Sequence, residues 1–152
     1  MIRYFSLLAV GLLVACTGPQ ETLSVRQFQL LDQNTLVTDE PMVAMEKNRR
    51  LHGAVSMTER QSLLGSYYSI YWNDAAGKGT DDVEIVFEYQ QGATASQIKQ
   101  MTRKFPAAET AGVAEFSIIG DNYSTQGRVL AWKATLRRGN QVISTRKSYL
   151  WR

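Results

Sequence analysis

From Ser66 onward, apolar side chains recur at every second position in segment after segment of this chain. That is the spacing of strands with one buried face. Over Ser66–Asn73, Tyr68, Ile70 and Trp72 fall on one side, and Tyr67, Ser69 and Tyr71 on the other. Val83, Ile85, Phe87 and Tyr89 alternate with acids and Val86. Leu130, Trp132, Ala134 and Leu136 are set against Val129, Lys133 and Thr135. Val113–Ile119 reads as a strand stopped by Gly120, and Gln141–Trp151 as a closing strand behind an Arg137-Arg138-Gly139-Asn140 hairpin turn, where Gly and Asn tolerate positive φ. Gln97–Phe105 carries two signals. Ile98 and Met101 suit a helix, while Thr102, Phe105 and Pro106 favour a strand, which is the assignment made here. Asp74–Asp81, Gln91–Ser96, Ala107–Gly112 and Asp121–Gly127 read as turns or loops.

Before Ser66 the pattern differs. Leu23, Val25 and, after a slip of one residue, Phe28 and Leu30 suggest a first strand with a bulge. Thr38-Asp39-Glu40-Pro41 starts a helix that runs to about Leu51, with Met42, Met45 and Arg49 on one face and Glu46 within reach of Arg50. Ser56-Met-Thr-Glu59 is a capping box for a second short helix, Met57–Leu64, with Gly65 as its stop. The expected strands are near 23–31, 66–73, 82–90, 97–105, 113–119, 128–137 and 141–151, seven in all. Short strands with turns between them predict a single mostly-β domain over 23–152, a sandwich or small barrel.

A Tyr-x-Ile-x-Trp strand, a Val/Ile/Phe-rich partner and a final hairpin with Val-x-Ala-Trp-Lys resemble immunoglobulin-like or fibronectin-III-like domains. The resemblance implies a seven-strand antiparallel sandwich, with the short helices inserted after the first strand. The cysteine pair of antibody domains is missing, because the chain holds one cysteine.

That cysteine, Cys16, follows a positive start at Arg3 and an uncharged run, Phe5–Ala15. The run falls short of the roughly 20 apolar residues a membrane-spanning helix needs. It reads as a secretory leader over 1–15. Leu13-Val14-Ala15-Cys16 resembles the lipobox of bacterial lipoproteins. The resemblance implies cleavage between Ala15 and Cys16, a diacylglyceryl group on the thiol and acylation of the new amine. Two or more acyl chains hold a protein stably on a bilayer. Thr17 stands where aspartate would imply inner-membrane retention, so the implied address is the outer membrane. Residues 16–22 become a lipidated tether, and the whole sequence looks like the small, uncharacterised lipoproteins of Gram-negative bacteria.

Removing Arg3 with the leader leaves 16 basic against 14 acidic residues. So weak an excess, dispersed in pairs such as Arg49-Arg50, Arg137-Arg138 and Arg146-Lys147, reads as solvated surface rather than the basic stripe of a nucleic-acid binder. His52 is the single histidine; no nucleophile is placed beside it and one imidazole cannot build a zinc site. Gly77-Lys78-Gly79-Thr80 fails the phosphate-loop spacing. Asp74, Asp81 and Asp82 lack a calcium-loop spacing, and Asn122-Tyr123-Ser124 is a chance glycosylation match. Glu84, Glu88 and Glu115 could form a carboxylate dyad only if brought about 5–10 Å apart; they are expected to face outward on their sheets. No cofactor is implied.

Two functions remain open. One is a non-enzymatic protein-interaction or structural module, docking an envelope partner through Tyr67 and Tyr71 if these rings are not covered by the inserted helices. The other is a small-molecule or glycan binder using an aromatic cleft around Tyr71, Trp72 and Trp132.

Overall fold

The computed structural model describes residues 21–32, 40–75, 77, 80–94 and 96–152. The leader, the Ala15-Cys16 junction, the lipobox cysteine, most of the tether and the Thr38-Asp39 helix start lie outside them.

Among the described residues, seven strands and three short α-helices follow in the order β1 (Leu23–Leu30), α1 (Pro41–Leu51), α2 (Met57–Ser62), β2 (Gly65–Asn73), β3 (Val83–Gln91), β4 (Lys99–Phe105), β5 (Ala111–Ile119), α3 (Gly120–Gln126), β6 (Val129–Arg138) and β7 (Gln141–Lys147). The strands form two antiparallel sheets, β1-β2-β5 and β4-β3-β6-β7. This is the expected immunoglobulin-like/fibronectin-III-like sandwich, with α1 and α2 inserted after the first strand.

The core is what the period-two pattern dictates. Tyr68, Ile70 and Trp72 from one sheet meet Val83, Ile85, Phe87 and Tyr89 from the other. Phe87, fully buried, lies at the centre, with ring centroids 4.7 Å from Tyr68, 5.3 Å from Phe116, 5.8 Å from Tyr89 and 6.3 Å from Trp132. Such ring pairs contribute about 0.5–1.5 kcal/mol beyond their area. The ambiguous 97–105 segment is a strand, and its Met101 and Phe105 pack against this core.

Five expectations are corrected. β1 pairs with β2 in unbroken register from Leu23↔Trp72 to Leu30↔Gly65, so it holds no bulge. Leu23 and Val25 point into the sandwich, while Phe28 and Leu30 lie on the opposite face. The apolar pattern changes phase because the far end of the strand is covered from outside. A bulge sits instead in β6, and the β6–β7 pairing has a second register shift between Leu136 and Arg137. Gln90 pairs with Ala131 and Gln91 with Val129, which leaves Leu130 as the extra residue, 42% exposed rather than in the core. Asp121–Gln126 is not a turn but most of α3. Its polar sequence carries no apolar helical period to reveal it. β7 ends at Lys147; the Trp132 amide then donates to Ser148 Oγ at 2.9 Å, and a turn seats Trp151 under Lys133.

The fifth concerns Gly65. α2 ends at Ser62 rather than Leu64, with Leu63 as C-cap, so Gly65 is not its stop. Gly65 begins β2 between Leu30 and Ile119 with φ of +149°. A Cβ there would stand 2.2 Å from the Ile118 carbonyl oxygen. Backbone cannot retreat as a side chain can, so Gly65→Ala is expected to lower stability by roughly 1–3 kcal/mol. Urea unfolding of the variant beside the parent measures this; an unchanged midpoint would show that the sheet absorbs the methyl group.

Candidate functional site

The outer face of the β1-β2-β5 sheet carries Arg26 and Phe28 from β1, Tyr67, Ser69 and Tyr71 from β2, and Val113 and Glu115 from β5, all at even spacing. α1 lies across this face in an unusual orientation. Its buried residue is Lys47, near Asp32 at 3.8 Å, whereas Met42 and Met45 are 72% and 62% exposed. Its more buried side therefore carries Lys47, and its methionines stay largely exposed beside the sheet. Between helix and sheet runs a groove of about 690 Å³, lined by Met42, Met45, Tyr71, Val113 and Phe28 with Arg26, Glu46, Arg49, Arg50 and Glu115.

Ion pairs hold the helix in place. Glu46 accepts from Arg49 Nε and Arg50 Nε, each at 2.8 Å. Both guanidinium groups also reach Glu115 of β5 at 3.5 Å. Hydrogen bonding from Arg49, then Arg50, keeps the Glu46 carboxyl below its ordinary value despite the opposing effect of burial. Arg50 also stacks 4.4 Å from the Tyr67 ring centroid, a cation–π contact. Tyr67 donates to the Leu63 carbonyl at 2.5 Å, and burial raises its hydroxyl pKa. The capping box of α2 is present: the Glu59 amide donates to Ser56 Oγ, and Glu59 Oε2 accepts from the Ser56 amide.

The four candidate aromatic residues do not converge. Tyr67 is 5% exposed beneath α1 and α2, so it is packing rather than contact surface. Tyr71 is 38% exposed on the groove, with Arg26 4.8 Å above its ring. Trp72, the next residue, points into the sandwich, 3% exposed and 5.1 Å from Phe105. Trp132 belongs to the Phe87–Tyr68 cluster. An aromatic cleft of Tyr71, Trp72 and Trp132 is therefore excluded, because adjacent residues of a strand face opposite ways. What the sequence reading missed were Met42, Met45, Arg26 and Val113. The shared face of Met42, Met45 and Arg49 was visible; its place beside the sheet was not.

Glu84, Glu88 and Glu115 are each ion-paired and are divided between the two outer faces of the sandwich. Glu84 binds Lys104 at 2.7 Å and Arg137 at 2.5 Å, and Glu88 binds Lys133 at 2.6 Å. Glu115 lies across the molecule with α1. His52 is exposed at the C-terminal end of α1.

Two polar clusters close the ends of the sandwich. Arg138, expected on the surface, is 8% exposed. Its Nε and Nη2 each lie 2.9 Å from Asp74 Oδ2, and its Nη1 donates to the Asp81 and Ala107 carbonyls. Asp74, read as a solvated turn acid, is correspondingly 6% exposed. At the opposite end, Lys99 Nζ donates to Gln91 Oε1 at 2.8 Å, Asn122 Oδ1 at 3.1 Å and Gln126 Oε1 at 2.6 Å. Gln91, fully buried, donates through Nε2 to the Asn122 and Gly127 carbonyls. These bonds fasten α3 to β3 and β4.

No protein-family model matches the chain, and no solved structure matches it. The chain is similar to an uncharacterized protein of Haemophilus influenzae, 29% identical over 97 residues, which cover 64% of this chain and 76% of that protein.

Asp74→Asn leaves a buried guanidinium without its counter-charge and is expected to lower stability by about 3–5 kcal/mol. Asp74→Asn combined with Arg138→Met should cost less than the sum of the two changes, as a double-mutant cycle in urea would report. Glu84 gives a pH signature. Hydrogen bonds from Lys104 and then Arg137 hold its carboxyl below the ordinary 4.5. The folded value is thus lower than the unfolded one, so its contribution is present above about pH 4.5 and is lost as pH falls through the folded value. Glu84→Gln should lower the urea midpoint at pH 7, and the difference from the parent should shrink as pH falls below about 4.5; curves that stay parallel would refute the assignment.

Proposed function

We propose that the chain is a lipid-anchored envelope lipoprotein acting as a non-enzymatic protein-interaction or structural module. Its leader, residues 1–15, is removed, Cys16 carries the lipid, and the sandwich stands on a short tether at the outer membrane. The observation that carries this reading is Leu13-Val14-Ala15-Cys16 at the end of the uncharged run, seven residues ahead of a sandwich that has its own core from Leu23 onward. One acyl chain anchors only marginally, and two or more anchor stably, so the thioether and the amide would act together.

The state of the polar side chains supports the non-enzymatic half. A general acid or base needs a free position beside a reacting group. Glu46, Glu84, Glu88 and Asp74 are each held in ion pairs by arginine or lysine.

Cells labelled with a palmitate analogue should incorporate it into the parent protein, which fractionates with the outer membrane. Cys16→Ser should lose both the label and the membrane retention. An unlabelled parent protein, or a Cys16→Ser variant that stays with the membrane, would remove the basis of the proposal.

A further inference from the structure

α1 presents an apolar side that nothing in the described structure covers. Met42 and Met45 are 72% and 62% exposed, and across the groove Tyr71 and Val113 add 38% and 44%. A helix of a soluble domain ordinarily turns such residues to the core. Here the inward side is taken by Lys47, Glu46 and Arg50, so the methionines are displayed at the cost of burying charge.

The position of this face is informative. Tyr71 pairs with Ser24 and Ser69 with Arg26, so the face flanks the first residues that follow the tether. Six residues, Thr17 to Thr22, separate Cys16 from Leu23, and the seven steps between them reach about 25 Å when fully extended. β2 alone, nine residues long, spans about 30 Å. Surfaces beside the start of β1 thus fall within reach of whatever holds Cys16, while the far end of the sandwich cannot.

The chemistry suits a bilayer surface. Glu46 and Glu115 offset Arg49 and Arg50. Arg26, stacked on Tyr71, has no carboxylate partner among the described residues and leaves the face one positive charge in excess. Tyrosine rings favour the headgroup level. Arginine can lay its stem on apolar surface and keep its charge among phosphates, and anionic lipid attracts basic groups close to the surface. We propose that the Met42–Met45 side of α1, with Tyr71, Val113 and Arg26, rests on the anionic bilayer to which Cys16 is anchored. The inference depends on the lipoprotein reading and adds an orientation to it.

The acylated full-length product can test this, because its own sulfur is blocked and an introduced cysteine is the only thiol. Met45→Cys and, as a control on another surface, Tyr149→Cys (Tyr149 is 100% exposed) are labelled with an environment-sensitive fluorophore. Each is reconstituted in vesicles of phosphatidylethanolamine and phosphatidylglycerol containing brominated lipid. Position 45 should be quenched at least threefold more than position 149. Arg26→Glu, or replacing the phosphatidylglycerol with phosphatidylcholine, should reduce that quenching by half or more. Equal quenching at the two positions would overturn the proposal. So would a label at 45 that native membranes protect from soluble quencher but brominated lipid does not reach, since that outcome means a protein covers the face. Mass spectrometry of the same sample reads acylation separately. A chain without acyl groups defeats the anchor, whereas an acylated chain with no preference at position 45 defeats only the orientation.

Discussion

Everything in this molecule is arranged around one buried ring. Phe87 stands on the inner face of β3, and the rings of Tyr68, Phe116, Tyr89 and Trp132 surround it from both sheets. A close-packed interior tolerates little change in side-chain volume, so this layer fixes the spacing of the two sheets. Strand register then follows. A slip of one residue would turn the whole inner set of β2 or β3 outward. The bulge at Leu130 is compatible with this layer because it lies beyond the ring, where β6 must re-aim Val129 into the core.

The three-stranded sheet has a second face to account for. Tyr67, Phe28 and Leu30 make it too apolar to stand in water, and α1 and α2 cover its upper part. The cover is electrostatic as much as hydrophobic: two arginines of α1 bind Glu46 within the helix and Glu115 on the sheet, and one of them lies over Tyr67. Such ion pairs are weak individually when exposed. Their value here is directional, because they set the rotation of the helix on the sheet.

The two ends of the sandwich are closed by cations satisfied in different ways. Arg138 meets a buried carboxylate and two carbonyls; Lys99 meets only neutral amide oxygens, from Gln91, Asn122 and Gln126. Breaking a buried charge pair is far more costly than the net contribution of forming it, so the Asp74–Arg138 end acts mainly to specify how the turns after β2 and β6 fit together. The Lys99 end gives α3 its place, since a polar seven-residue helix has little tendency to form alone.

Alternation in 66–73, 82–89 and 132–136 was enough to determine strands, inner faces and the sandwich class, because a period of two has one physical solution when a core must be buried; the phase change between Val129 and Ala131 was not legible. The Ser56–Glu59 capping box was equally legible, being satisfied within four residues. The lipobox pattern belongs to the same local kind of information and lies outside the described residues. What the sequence could not carry was anything decided by partners distant along the chain. The burial of Arg138 depends on Asp74, 64 positions away, and α3 depends on Lys99 and Gln91. Whether Tyr67 is packing and Tyr71 surface depends on where α1 comes to rest. The candidate surface was half visible for the same reason. The face shared by Met42, Met45 and Arg49 follows from helical spacing, but its place beside the sheet follows from Arg49 meeting Glu115 on a strand more than sixty residues later, and only the folded chain brings those charges together.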